Sequence, residues 1–181
     1  LLGAIPFTMV MPFVHSLLPV YASEFFGMGP AGLGMLVSAL GVGATSGNVL
    51  LASVGNIRYK GRVMISALVL AVGAMAVFPL NIPVLSPIPA LMILGAALSI
   101  YFSVGVAIIQ STVPDRLRGR VSSIAMMAIG LMPLGALLSG GVAQIFDARV
   151  ATLGSVIFIV VVLAVITPTI GRVWKSKVSE S

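Results

Sequence analysis

Polar positions in this chain gather into short clusters, and six long apolar runs lie between them. The first run covers about Leu1 to Tyr21, the second Ala31 to Val54 and the third Val63 to Leu80. The fourth covers Ile88 to Val113, the fifth Val121 to Ile145 and the sixth Thr152 to Ile170. None alternates apolar and polar residues as a barrel strand of about 10 residues does. Each is long enough to cross a hydrocarbon layer about 30 Å thick as a helix, the third only just. The pattern predicts an all-α membrane protein with six transmembrane helices.

Composition removes the soluble alternatives. Hydrophobic residues make up 59% of the 181 positions and charged residues 8%, and the mean hydropathy is +1.20. Soluble domains carry about 25% charged residues. With so few charges a globule of this size could not cover a water-facing surface. A soluble enzyme, a disordered tail and a nucleic-acid binder are therefore excluded, despite a net charge of +6. The chain has no cysteine, so it can build neither a disulfide framework nor a cysteine metal site. It opens at Leu1 inside an apolar run, without the basic flank of a signal peptide. A truncated N-terminus explains that start better.

The linkers set the topology. Six crossings alternate the loops between the two faces of the membrane. One face receives Arg58, Lys60, Arg62, Arg116, Arg118, Arg120, Arg172, Lys175 and Lys177. The other receives Arg149, with Glu24 and Asp147. Nine basic residues against one place both ends of the bundle in the cytoplasm by the positive-inside rule. Residues 1–171 would form the bundle and residues 172–181 a polar, basic cytoplasmic tail.

Two cytoplasmic linkers share a pattern. Arg58-Tyr59-Lys60-Gly61-Arg62 matches Arg116-Leu117-Arg118-Gly119-Arg120 as basic-x-basic-Gly-Arg. One reading is a solvated anchor that fixes topology and meets anionic lipid. The other is a cytoplasmic latch, with Gly permitting a tight turn and Arg reaching carbonyls at helix ends. Asp115 follows Pro114, so it can cap the fifth helix or pair with an arginine.

Inside the spans, small residues recur at four-residue intervals. The second carries Gly43 and Gly47, the fourth Gly95, Ser99, Ser103, Ala107 and Ser111, and the fifth Gly135, Ser139 and Ala143 beside Gly140. Such stripes let helices approach closely in lipid. They serve packing, and they also allow bundles to slide. Pro6, Pro12 and Pro19 interrupt the first span and Pro133 the fifth. A proline removes a helix hydrogen bond, which a membrane tolerates only beside protein or water. The first and fifth helices should therefore face protein or a cavity. The third and sixth, rich in Val, Leu and Ile, suit the lipid-facing periphery.

Candidates for a polar pathway are few. His15 is the one ionisable side chain well inside a span, and such residues are functional candidates by default. It is also six residues from Tyr21, so it could be a packing residue or a wet one near the outer surface. Asn48, Thr45, Ser99, Tyr101, Ser103 and Gln110 are the others. Ser103, Ala107 and Gln110 share a helical face, and the fourth helix is the expected cavity lining. No H-E-x-x-H, G-x-S-x-G or Walker loop is present. Neither a cofactor nor a metal site is expected, and the chain does not read as an enzyme.

Gln110-Ser111-Thr112-Val113-Pro114-Asp115-Arg116-Leu117-Arg118-Gly119-Arg120-Val121-Ser122-Ser123 resembles the junction between the tenth and eleventh helices of the major facilitator superfamily. It looks most like the bacterial branch with the enterobactin exporters and macrolide-efflux relatives, the transmembrane secretion effectors. Gly130 to Gly140, Leu17 to Tyr21 and Gly32 to Leu36 are similar to what that branch carries around it. The resemblance covers nearly the whole chain. It implies the C-terminal half of a twelve-helix transporter, two inverted three-helix repeats, with the N-terminal half outside this sequence. The family's loop signature has Asp three residues before its Gly-Arg pair, where this chain has Arg58.

The resemblance implies a secondary transporter of the bacterial inner membrane. Its partners would be the lipid bilayer, a small-molecule substrate and the other half of the same protein. Proton-coupled export of a small hydrophobic or amphipathic compound by alternating access is the leading reading. The alternative is a complete six-helix channel or permease subunit acting as a homodimer.

Overall fold

A computed structural model describes residues 10–55, 59–80, 87–130 and 132–177. Within them the chain is helical, and no strand occurs among the described residues. The helices are α1 (residues 10–25), α2 (Pro30–Val54), α3 (Lys60–Leu80), α4 (Pro87–Thr112), α5 (Asp115–Ile129), α6 (Met132–Ile145) and α7 (Ala148–Lys177). Among the described residues α2, α3 and α4 are long and apolar enough to cross a membrane, with hydropathies of 1.6, 2.4 and 2.2. Helix also occupies the other three predicted positions, in part or in pieces.

Proline and glycine decide where these helices begin, widen and stop. Pro30 and Pro87 open α2 and α4, in the first turn, where a missing N–H costs nothing. Gly55 ends α2 with φ of +68°, a conformation that a Cβ disfavours. In α1 two wide π-type turns, Phe13–Leu17 and Tyr21–Phe25, flank Leu18–Val20. The Leu18 N–H donates to the Phe13 carbonyl and the Phe26 N–H to the Tyr21 carbonyl. Pro19 lies between them and brings no N–H of its own, so the ladder is rerouted around it.

Two sequence expectations need correction. The linker after Val113 is shorter than predicted, because Asp115 to Arg120 already forms the first turns of α5. The fifth span is divided at Gly130. Pro133 is the second residue of α6, where proline starts a helix rather than bending one. The third helix, expected at the periphery, is covered on one face. It packs on both α4 and α7 and buries Ala67, Leu68, Ala71, Val72, Ala74, Met75, Phe78 and Pro79. Its other face, with Val69 and Leu70, stays exposed. A uniformly apolar helix has no polar side to turn outward, so its composition cannot say which face is covered.

The packing order runs α2 on α4, α4 on α3, α3 on α7, α7 on α6, and α6 and α7 on α1. The α2–α4 crossing is built on backbone. A Cβ at Gly43 would collide with the Met92 carbonyl, one at Gly95 with the Leu40 carbonyl, and one at Gly47 would sit 2.7 Å from Ala96 Cα. The Ser99 hydroxyl bridges the same seam and donates to the Ala44 carbonyl at 3.0 Å. Small residues replace a hydrophobic driving force that lipid does not provide between helices.

The opposite end of the bundle is aromatic. Phe78 from α3 meets Phe13 and Tyr21 from α1 edge-on, at centroid distances of 5.0 and 5.6 Å. The Tyr21 hydroxyl reaches Thr152 Oγ1 on α7 at 3.0 Å, and Thr152 donates to the Ala148 carbonyl at 2.8 Å. Arg149 lies over the Phe25 ring, 4.7 Å from its centroid. These contacts tie α1, α3 and α7 together.

Candidate functional site

On α2, the face opposite the α4 seam carries small and polar residues along its length. Gly34, Ser38, Gly41, Thr45 and Asn48 follow one another at spacings of four and three residues, and all are exposed. That spacing keeps them in one stripe. Ser38 donates to the Gly34 carbonyl at 2.8 Å and Thr45 to the Gly41 carbonyl at 3.0 Å. Satisfying a hydroxyl within its own helix lowers the cost of carrying it across a membrane. Sequence reading picked out Thr45 and Asn48 and passed over Ser38. The signal for Ser38 was the alternating three-and-four spacing, visible once Gly43 and Gly47 are recognised as a separate, buried stripe.

Asn48 marks where the stripe meets α4. Its Oδ1 accepts a hydrogen bond from Ser103 at 2.9 Å. A cleft of about 560 Å³ opens beside this pair, lined by Asn48, Leu51, Ala52 and Gly55 of α2 and its end, Ser103, Val104 and Ala107 of α4, and Lys60 at the start of α3. Lys60 Nζ donates to Ser111 Oγ at 3.2 Å, which joins the first residue of α3 to the last turn of α4. Arg62 stacks on the Tyr59 ring at 4.9 Å. Arg116 and Arg120 are exposed on the first turns of α5. One end of the bundle is thus basic, as the other is aromatic.

The sequence candidates separate into groups. Asn48 and Ser103 are brought together, and Ala107 joins them in the cleft, while Gln110 lies about a turn further along α4 and is exposed. Ser99 belongs to the helix seam. Tyr101 is buried, 6% exposed, within the apolar core. His15 is exposed on α1, which packs on α6 and α7 and meets Phe78 of α3. Of the packing candidates, Pro12, Gly43, Gly47 and Gly135 are buried, Gly140 is half-buried and Pro133 is exposed. Gly61 is half-buried and Gly119 exposed. Arg58 lies outside the described residues, as do the side chains of Asp115 and Arg118. The basic tail begins as helix, since α7 continues to Lys177.

Among the described residues no group of His, Asp or Glu could hold a metal ion. The site offers hydroxyls, one carboxamide, one ammonium and apolar walls. Among the described residues the set holds no nucleophile paired with a base.

No curated protein and no solved structure matches the chain. One family model does, described as transmembrane secretion effector, over residues 1–181. A match along the whole chain, on a helical protein with apolar spans, has one consequence: the chain belongs to the transmembrane secretion effector family of major facilitator transporters.

Proposed function

We propose that this chain is part of a secondary transporter that exports a small hydrophobic or amphipathic compound in exchange for protons. The exposed stripe on α2, ending at the Asn48–Ser103 pair, carries this reading. Its polar groups are spread along a helix, and small residues leave room beside them. A solute passing along it would meet weak, repeated sites that it can both enter and leave. The basic end, with Lys60, Arg62, Arg116 and Arg120, is the cytoplasmic end by the positive-inside rule.

The six predicted spans act as one half of a twelve-helix fold, rocking against a second six-helix body. The packing order supports an inverted repeat. Exchanging the first three predicted spans with the last three turns the α2–α4 contact into the α6–α1 contact, and the α3–α4 contact into the α7–α1 contact; both members of each pair occur. Such exchange is what two repeated three-helix units produce, although the α6–α7 contact has no comparable α2–α3 counterpart. The Lys60–Ser111 bond, between the start of α3 and the end of α4, supports a role for the basic loops in closing the cytoplasmic side.

The test is efflux of a panel of labelled amphipathic compounds from cells that express the full-length protein. Export should stop when a protonophore collapses the gradient, and Asn48→Leu should reduce it at unchanged protein level. Export that persists after collapse removes proton exchange from the reading. Full export by Asn48→Leu removes the α2 stripe from the pathway.

A further inference from the structure

The cleft at the basic end has a chemistry more selective than the pathway above it. Among the described residues that line it, Lys60 alone is charged. A lysine ammonium has three donors, and Ser111 Oγ takes one of them. Asn48 spends its carbonyl oxygen on the Ser103 hydroxyl, which leaves its amide hydrogens as donors. Among the described residues no carboxylate lines the cleft, so its described lining presents donors and a positive charge to whatever enters. Leu51, Ala52, Val104 and Ala107 add an apolar wall that an inorganic ion would not use but an alkyl chain would. The volume, about 560 Å³, falls within the roughly 300–1,000 Å³ of small-molecule sites. Asn48 precedes Gly55 by seven residues, about 10 Å along the helix axis. The two polar groups therefore stand at different depths, the cation near the helix ends and the carboxamide further in.

We infer that this cleft binds the phosphate head of an anionic amphiphile, with its charge on Lys60 Nζ and its first methylenes along Leu51 and Val104. Asn48 takes an oxygen deeper in the molecule. The occupant comes either from the adjoining lipid leaflet or from the pool of exported compounds, and the same headgroup chemistry serves both. The inference stands on the cleft and does not depend on what the protein carries.

The binding test titrates the full-length protein in detergent micelles with phosphatidylglycerol or phosphatidylcholine, read as bound lipid by native mass spectrometry. One lysine near an anionic group changes affinity about fivefold. Wild type should prefer phosphatidylglycerol by about that factor, Lys60→Arg should keep the preference, and Lys60→Gln should bring the two lipids to parity. Asn48→Leu keeps the charge and should weaken phosphatidylglycerol binding while preserving the preference. A Lys60→Gln protein with wild-type preference overturns the inference. Octyl phosphate separates the two sources. If it competes with phosphatidylglycerol but stays inside phosphatidylcholine vesicles containing the protein, the occupant is leaflet lipid. If wild type releases it faster than Lys60→Gln, the occupant is cargo. If it neither competes nor is released, the site is refuted.

Discussion

Gly41 and Gly43 sit two residues apart on α2 in opposite surroundings. A Cβ on Gly41 would meet nothing within 4 Å, whereas one on Gly43 would run into the Met92 backbone. Alanine in an exposed helix is favoured over glycine by up to about 1 kcal/mol, while overfilling a packed site costs about 1–3 kcal/mol. Gly41→Ala should therefore hold or raise the thermal midpoint of the purified protein in detergent, and Gly43→Ala should lower it. Equal midpoints would mean that the α2–α4 seam is looser than the crossing described here. The sequence makes Gly43 and Gly47 legible as a packing stripe. It cannot name Met92 and Ala96 as the surfaces they meet, because spacing identifies a face and not its neighbour. His15 shows the converse. Its ionisable ring drew attention, yet nothing in the spacing of α1 could say that it would be exposed.

Element boundaries follow the apolar runs closely, most of all in α2 and α4, where proline and glycine mark the ends. The fifth span is where the pattern misleads. Gly130 and Pro133 both lie inside one apolar stretch, and a hydrophobicity profile has no means of separating a bent helix from two helices. The register between elements is a further quantity the profile lacks, and cysteine pairs can read it on a chain that has no cysteine of its own. Ser103 Oγ donates to Asn48 Oδ1 at 2.9 Å, so these two side chains meet, and cysteines at the two positions should collide and oxidise more readily than a pair out of register. Asn48→Cys with Ser103→Cys should lose both thiols to maleimide–polyethylene glycol labelling after copper phenanthroline treatment. Gly41→Cys with Ser103→Cys, two helical turns out of register on α2, should keep them. Free thiols in the first pair would disprove the register of α2 on α4.

At the scale of the whole molecule, charge was the most legible property and packing the least. Lys60 at the start of α3 meets Ser111 in the last turn of α4, and Arg116 and Arg120 follow on the first turns of α5, so these basic residues share one end of the bundle. Which face of α3 meets protein was not legible, because every residue of an apolar helix is equally suited to lipid and to protein. Orientation can be checked directly. Single cysteines at Arg62 and Arg120 should react with a membrane-impermeant maleimide in inside-out vesicles and resist it in intact cells. Single cysteines at Ser23 and Asp147 should do the reverse. Labelling of Arg62→Cys from outside the cell would invert the topology and move the cleft to the other face.

The backbone contact between α2 and α4 also bears on how this protein can change over generations. At Gly43, Gly47 and Gly95 no single substitution is small, since even one methyl group meets main chain that has no rotamer to yield. Gly34, Gly41 and Gly105, with open space around them, can vary one at a time. On the proposed function, substrate range can therefore drift along the exposed stripe while the seam behind it stays fixed. A descendant that widens the seam must replace several residues together on both helices. New specificities should accordingly be reached by substitutions at Ser38, Thr45 and Asn48 long before any are reached by respacing the pair.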